Sequence, residues 1–120
     1  MEKENCVFCK IADHEIPTTP VYEDEDLIAI NDRDPKAPFH VLIMPKVHIA
    51  NLDSLTEENL PLIAKIFVTA RNIAKEKGIS GRYKVVTNVG ELAGQTVFHM
   101  HFHMLGGWTK KEDVVSQLKQ

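Results

Sequence analysis

Thr96-Val97-Phe98-His99-Met100-His101-Phe102-His103-Met104-Leu105-Gly106-Gly107 is the stretch around which the chain is organised. Histidine alternates here with an apolar residue, which is the two-residue period of a strand. His99, His101 and His103 are therefore expected on one face, and Phe98, Met100, Phe102 and Met104 on the other. The apolar face would pack on a core while three imidazoles project together from the opposite surface.

Such a row can serve three ends. All three rings could hold one metal ion, but at about 3.3 Å per residue His99 and His103 stand roughly 13 Å apart along a strand. Zinc takes nitrogens at about 2 Å, so an adjacent pair suits one ion better than the whole row. The second end is catalysis, because imidazole is a nucleophile and an acid/base whose charge changes near neutral pH. The third is that the rings are hydrogen-bonded polar residues of a half-buried sheet. Three histidines in phase favour chemistry over that.

The 120 residues suffice for one domain, 1–120, with a core over about 5–107 and a tail from 108 to 120. Fourteen basic against seventeen acidic residues leave a formal charge of −3, so no basic surplus points to nucleic acid. No apolar run is long enough to span a membrane. Met1-Glu2-Lys3-Glu4-Asn5 leads into no signal-peptide core, and a cytoplasmic protein is expected.

Cys6-Val7-Phe8-Cys9 holds the two cysteines of the chain. A structural disulfide is not expected in the cytoplasm, and only five residues precede Cys6, too few for the strand that leads into a redox pair. Two thiols make half of a tetrahedral zinc shell, with His14, His40, His48 and the triad as candidate partners. Two ordinary buried thiols are the alternative.

Around these motifs the pattern predicts a sheet with helices. Lys10-Ile11-Ala12-Asp13 reads as continuing a short helix, ended by Ile16-Pro17-Thr18-Thr19-Pro20. Val21-Tyr22-Glu23 and Leu27-Ile28-Ala29-Ile30 read as strands around the charged turn Asp24-Glu25-Asp26. His40-Val41-Leu42-Ile43-Met44-Pro45 is nearly continuous in apolar residues and hence central. A long helix should start near Asn59, with Pro61 in its first turn and Gly78 after its end. Its stripe is Leu60, Ile63, Phe67, Ala70 and Ala74. Arg82 to Asn88 is a fourth strand, and Gly90-Glu91-Leu92-Ala93-Gly94-Gln95-Thr96 is a loop whose backbone N–H groups and hydroxyl suit an anion, or an ordinary hairpin loop. The tail after Gly107 reads as a short helix or a dimer contact.

His99-Met100-His101-Phe102-His103-Met104 resembles the histidine triad family, whose signature is three histidines separated by apolar residues. The likeness extends to Cys6-Val7-Phe8-Cys9-Lys10-Ile11, Asp32, Ala37-Pro38, Pro45-Lys46-Val47-His48, Asn88 and Gly94-Gln95-Thr96, and Leu105-Gly106-Gly107 is similar to the Hint-like branch. The resemblance implies an α+β fold, with a five-stranded antiparallel sheet, one long and one short helix, and two sheets joined across a homodimer. It implies a nucleotide hydrolase or transferase that cleaves nucleoside 5′-phosphoramidates or related nucleotidyl substrates, adenylyl preferred, through a covalent intermediate on His101. A purine-nucleotide-binding regulatory module with incidental turnover is the other reading.

By the same resemblance the catalytic residues are His101, His103, His99 and Thr96, which stands where the branch usually has serine. The nucleotide would be bound by Asp32 at the ribose hydroxyls, by Arg33, at a position commonly aliphatic in the branch, and by Asn88, Gly94, Gln95, Thr96, His101 and His103. Members with this Cys-x-x-Cys bind zinc through it, which selects Cys6, Cys9, His48 and His99 as ligands of one structural zinc per chain. His101 and His103 remain for phosphate.

Overall fold

The computed structural model describes residues 5–114. The chain runs through a short helix α1 (Val7–Ala12), strands β1 (Tyr22–Glu23), β2 (Leu27–Asn31) and β3 (Phe39–Pro45), a long helix α2 (Leu60–Glu76), and strands β4 (Tyr83–Val86) and β5 (Phe102–Gly106). The strands form one antiparallel sheet in the order β1-β2-β3-β5-β4. The continuous apolar run of β3 has the expected cause: it is the middle strand, buried from His40 to Pro45.

Each face of the sheet has its own cover. Leu27, Ala29, Val41, Ile43, Phe102 and Met104 pack with Ile66, Ala70, Ile73 and Ala74 of α2. Ile28, Ile30, Leu42 and Met44 pack with Phe8, Ile11 and Ala12 of α1. His103 lies opposite Leu42 in the β3–β5 register, and directly opposed residues share a face. The side of the sheet that carries His103 is thus the side covered by α1 and its two cysteines.

Asn59 precedes α2 without a side-chain capping bond, Pro61 sits in its first turn, and Gly78 follows with φ 72°. The buried stripe differs from expectation: it is Ile66, Thr69, Ala70, Ile73 and Ala74, while Leu60 and Phe67 are 53% and 49% exposed. Two parallel three-and-four series run along this apolar-rich helix, and periodicity alone does not say which one turns to the sheet. Lys65 ties the helix to the β1–β2 turn through Asp24 at 3.0 Å and Asp26 at 2.8 Å. The turn itself is closed by Asp24 Oδ1, which accepts from the N–H groups of Asp26 and Leu27.

The histidine stretch is a shorter strand than expected. β5 starts at Phe102, and His99 and His101 lie on irregular chain before it. The neighbouring strand explains this: β4 ends at Val86 rather than Asn88, so the chain before Phe102 has no ladder on that side. There the Met100 N–H donates to the Ile49 carbonyl at 2.6 Å and the Thr87 hydroxyl to the His101 carbonyl at 2.8 Å. Met100, Phe102 and Met104 join the core as expected, and Phe98 is only half-buried. At Gly106 a Cβ would meet the Arg82 carbonyl oxygen at 2.6 Å, so only glycine lets β5 lie this close to the start of β4. In the tail, Lys111–Asp113 form a single 3-10 turn, and residues 115–120 lie outside the described residues. Among the described residues no helix is long and apolar enough to cross a membrane.

Candidate active site and metal centre

Cys6 caps α1, its sulfur accepting from the Cys9 N–H at 3.3 Å, and this first turn brings both thiols to one end of the helix. His99 Nδ1 lies 3.3 Å from Cys6 Sγ and 3.4 Å from Cys9 Sγ, and His48 Nδ1 lies 3.2 Å from Cys9 Sγ. All four donor atoms are within 4.8 Å of one another. Ligand atoms about 2.0–2.3 Å from a tetrahedral zinc stand roughly 3.3–3.8 Å apart, so the spacing fits that ion. The second nitrogen of His99 agrees: Nε2 donates to the Pro45 carbonyl at 2.7 Å, which leaves the lone pair on Nδ1 facing the sulfurs. Burial pushes the His99 pKa down to about 4, against the raising effect of that bond, keeping the ring neutral as a ligand must be. Of the other candidate partners, His14 pairs with Glu23 at 2.7 Å away from the cluster, and His40 belongs to a second group.

One peptide connects this cluster to the middle histidine. His101 Nδ1 donates to the His99 carbonyl at 2.7 Å. A carbonyl only accepts, so Nδ1 carries the proton and Nε2 keeps the lone pair. Burial lowers the His101 pKa, opposed by that bond and by the Asp32 charge. The result is a neutral imidazole with one committed nitrogen and one available for bonding. His101 also lines a cavity of about 480 Å³. Val7, Phe8 and Ile11 of α1 contribute apolar wall, as do Ile30 and Leu42 of the sheet, while Asp32, Arg33 and Thr96 add polar groups. A mostly apolar wall with a few polar groups is the usual lining of a small-molecule site.

His40, offered by the sequence only as a candidate zinc partner, pairs instead with His103 and Asp32. Its Nδ1 accepts from the Lys36 backbone N–H at 3.0 Å, so its proton sits on Nε2, which lies 3.0 Å from His103 Nδ1 and 3.3 Å from Asp32 Oδ2. His103 Nδ1 must then accept, and the His103 proton is on Nε2. All three side chains are buried. Their donor atoms are close enough to suggest a metal, but the proton on His40 Nε2 makes them a hydrogen-bonded chain. Burial lowers the His40 pKa, with the Asp32 charge opposing it. The signal was present in the two-residue period, which puts His40, Leu42 and Met44 on one face of β3. It became readable only once the register set Leu42 opposite His103.

The loop before the triad is held from within. The Gln95 amide oxygen accepts from the Gly90 N–H at 2.8 Å and from Asn51 at 3.2 Å, and its nitrogen donates to the carbonyls of Ala50 at 2.8 Å and Val97 at 3.1 Å. Gln95 is buried and its side chain braces the loop from below. Gly94 ends the 3-10 turn Glu91–Ala93 in the left-handed conformation, φ 99°, which a side chain would strain. Thr96 and Arg33 are exposed, both at the cavity, and Asn88 is half-buried beyond β4.

Known proteins resemble this chain over most of its length. The family described as "Scavenger mRNA decapping enzyme C-term binding" matches residues 5–114. Protein HitA of Neisseria gonorrhoeae is 43% identical over 103 residues, spanning 86% of this chain and 96% of that protein. The 14 kDa zinc-binding protein of Zea mays is 41% identical over 84% of this chain and 80% of its own. Adenylylsulfatase HINT1 of Arabidopsis thaliana is 35% identical over 84% of this chain and 70% of its own. A solved histidine triad protein from Clostridium difficile superposes with a TM-score of 0.86 at 42% identity, covering 92% of this chain and 96% of that one.

Proposed function

The chain belongs to the histidine triad family, and on that premise we propose that it is a nucleotide hydrolase. We infer that it cleaves nucleoside 5′-phosphoramidates or related nucleotidyl compounds, with adenylyl groups preferred. The observation that carries the reading is the bond from His101 Nδ1 to the His99 carbonyl, since it reserves Nε2 as a neutral nucleophile beside a nucleotide-sized cavity. The relatives include an adenylylsulfatase, which supports an adenylyl group as the part transferred.

In the first step His101 Nε2 attacks the α-phosphorus, a P–N bond to the imidazole forms, and the bond to the leaving amine breaks. The amine leaves with a proton supplied from Thr96 or from His103 Nε2. In the second step water attacks the phosphorus and gives its proton back to the group that protonated the amine, the P–Nε2 bond breaks, and the nucleoside monophosphate is released with His101 restored. Phosphoryl transfer of this kind needs chiefly positioning and neutralisation of the equatorial oxygens. We assign these tasks to His103 and to the loop braced by Gln95 and turned by Gly94. Asp32 accepts from the ribose hydroxyls, with Arg33 and Asn88 at the base and sugar ends.

Cys6, Cys9, His48 and His99 would hold one zinc per chain, and the zinc-binding protein of Zea mays supports this. Its contribution is a structural tie between α1 and the triad. A single cytoplasmic domain that dimerises is the accompanying proposal. It is supported by β4 standing at the sheet edge and by exposed Leu60, Phe67 and Val68 on α2, both of which a second copy would cover.

Mass spectrometry after mixing the protein with a slowly hydrolysed adenosine phosphoramidate tests the chemistry. An adenylyl adduct mapping to His101 is expected. Tight binding of the nucleoside monophosphate with no adduct and no turnover would favour a binding module instead.

A further inference from the structure

Helix α1 faces two sites. Cys6 at its start and Cys9 within it contribute the thiols of the metal centre, while Val7, Phe8 and Ile11 line the cavity. Phe8 stands between the two thiols in the chain and is 8% exposed. Its ring meets His101 edge-on, with centroids 5.0 Å apart at 82°, and His99 edge-on at 6.0 Å and 81°. A helix of six residues has almost no stability of its own in water, so its position depends on what it is tied to. Those ties are the two sulfurs and the apolar contact of Phe8, Ile11 and Ala12 with Ile28, Ile30, Leu42 and Met44.

We propose that Phe8 is a positioning residue that couples the Cys6–Cys9–His48–His99 metal centre to the nucleotide cavity, so that the metal and a nucleoside monophosphate bind cooperatively. The proposal rests on the nucleotide reading above. Ligation of Cys6 and Cys9 holds the peptide on both sides of Phe8, which sets the ring against His101 and completes the cavity wall. A nucleotide packed against Val7, Phe8 and Ile11 holds the same helix from its other side. Each ligand orders a segment that the other needs, so the cost of ordering is met once, and linkage makes the effect equal in both directions.

The test uses the full-length, zinc-loaded protein, transferring zinc to a chromophoric chelator with and without saturating AMP, while equilibrium dialysis measures AMP binding independently. AMP is expected to slow zinc release about tenfold in the natural protein. In Phe8→Ala, which keeps all four ligand side chains, AMP at saturation should change the release rate by no more than about twofold, and Phe8→Leu should restore part of the effect. If the natural protein binds AMP but loses zinc equally fast with and without it, the coupling is wrong and the nucleotide reading stands. If dialysis detects no AMP binding, both fall. Retention of the full effect in Phe8→Ala would overturn the assignment to Phe8, and should that variant fail to fold, the comparison in the natural protein decides the coupling alone.

Discussion

His40 Nε2 and His103 Nδ1 meet at 3.0 Å across β3 and β5, and the Lys36 backbone N–H on the far side of His40 decides which of the two donates. A main-chain amide has one role, so the tautomers of both rings follow from it. The proton of His103 is thereby held on Nε2. Replacing His40 with phenylalanine removes that control, and kcat/KM should fall by about 10–100-fold, the usual effect of losing a supporting hydrogen bond to an active group. His40→Gln keeps a donor at that end and should recover much of the loss. Equal kinetics for His40→Phe and the natural protein would show the chain to be structural only.

His101→Ala removes the proposed nucleophile. Turnover of an adenosine phosphoramidate should fall by about 10⁴-fold or more, while zinc content and the circular dichroism spectrum stay as they are. A variant with kcat within about tenfold of the natural enzyme would rule out the covalent route.

Burial depresses the pKa of both His101 and His40 below the ordinary value of 6.5. The folded state therefore binds fewer protons than the unfolded state below about pH 6.5. Stability contributed by these neutral rings is fully present above that pH and is lost as pH falls toward their folded-state values. Urea unfolding measured from pH 7.5 down to 5 should show this decline, with a shallower slope in His40→Gln. The same shift keeps His101 neutral, so kcat/KM should hold its plateau to a pH below 6.5 before the acid limb begins.

Elemental analysis should find roughly one zinc per chain. Cys9→Ser should lose most of it, because Cys9 Sγ contacts both His48 and His99. A protein isolated metal-free with Cys6 and Cys9 as ordinary thiols would refute the centre.

Gln95→Ala leaves the Gly90 N–H and the Ala50 carbonyl without their side-chain partner. Both groups are only partly buried, so each lost bond costs about 0.5–1.5 kcal/mol and thermal unfolding should shift down by a few degrees. If Gln95 acts by bracing the loop, AMP affinity should fall in Gln95→Ala, and Gln95→Glu should not restore it, because its carboxylate would face the Ala50 and Val97 carbonyls that the amide nitrogen now donates to.

Much of this protein could be read from the order of its residues. The alternation from Phe98 to Met104 announced a row of imidazoles backed by core side chains, Pro61 and Gly78 bracketed the long helix, and the apolar run from Val41 to Met44 marked the middle strand. These signals are local, since each depends on the period or backbone preference of a single element. The tertiary structure alone decided which elements' faces meet. It buried Ile66 and Ile73 of α2 and left Leu60 exposed, ended the ladder before His101, and set His40 against His103. Those outcomes follow from strand register and from the seat of α1, which are set by pairing between residues far apart in the chain, and no period within one segment carries that information.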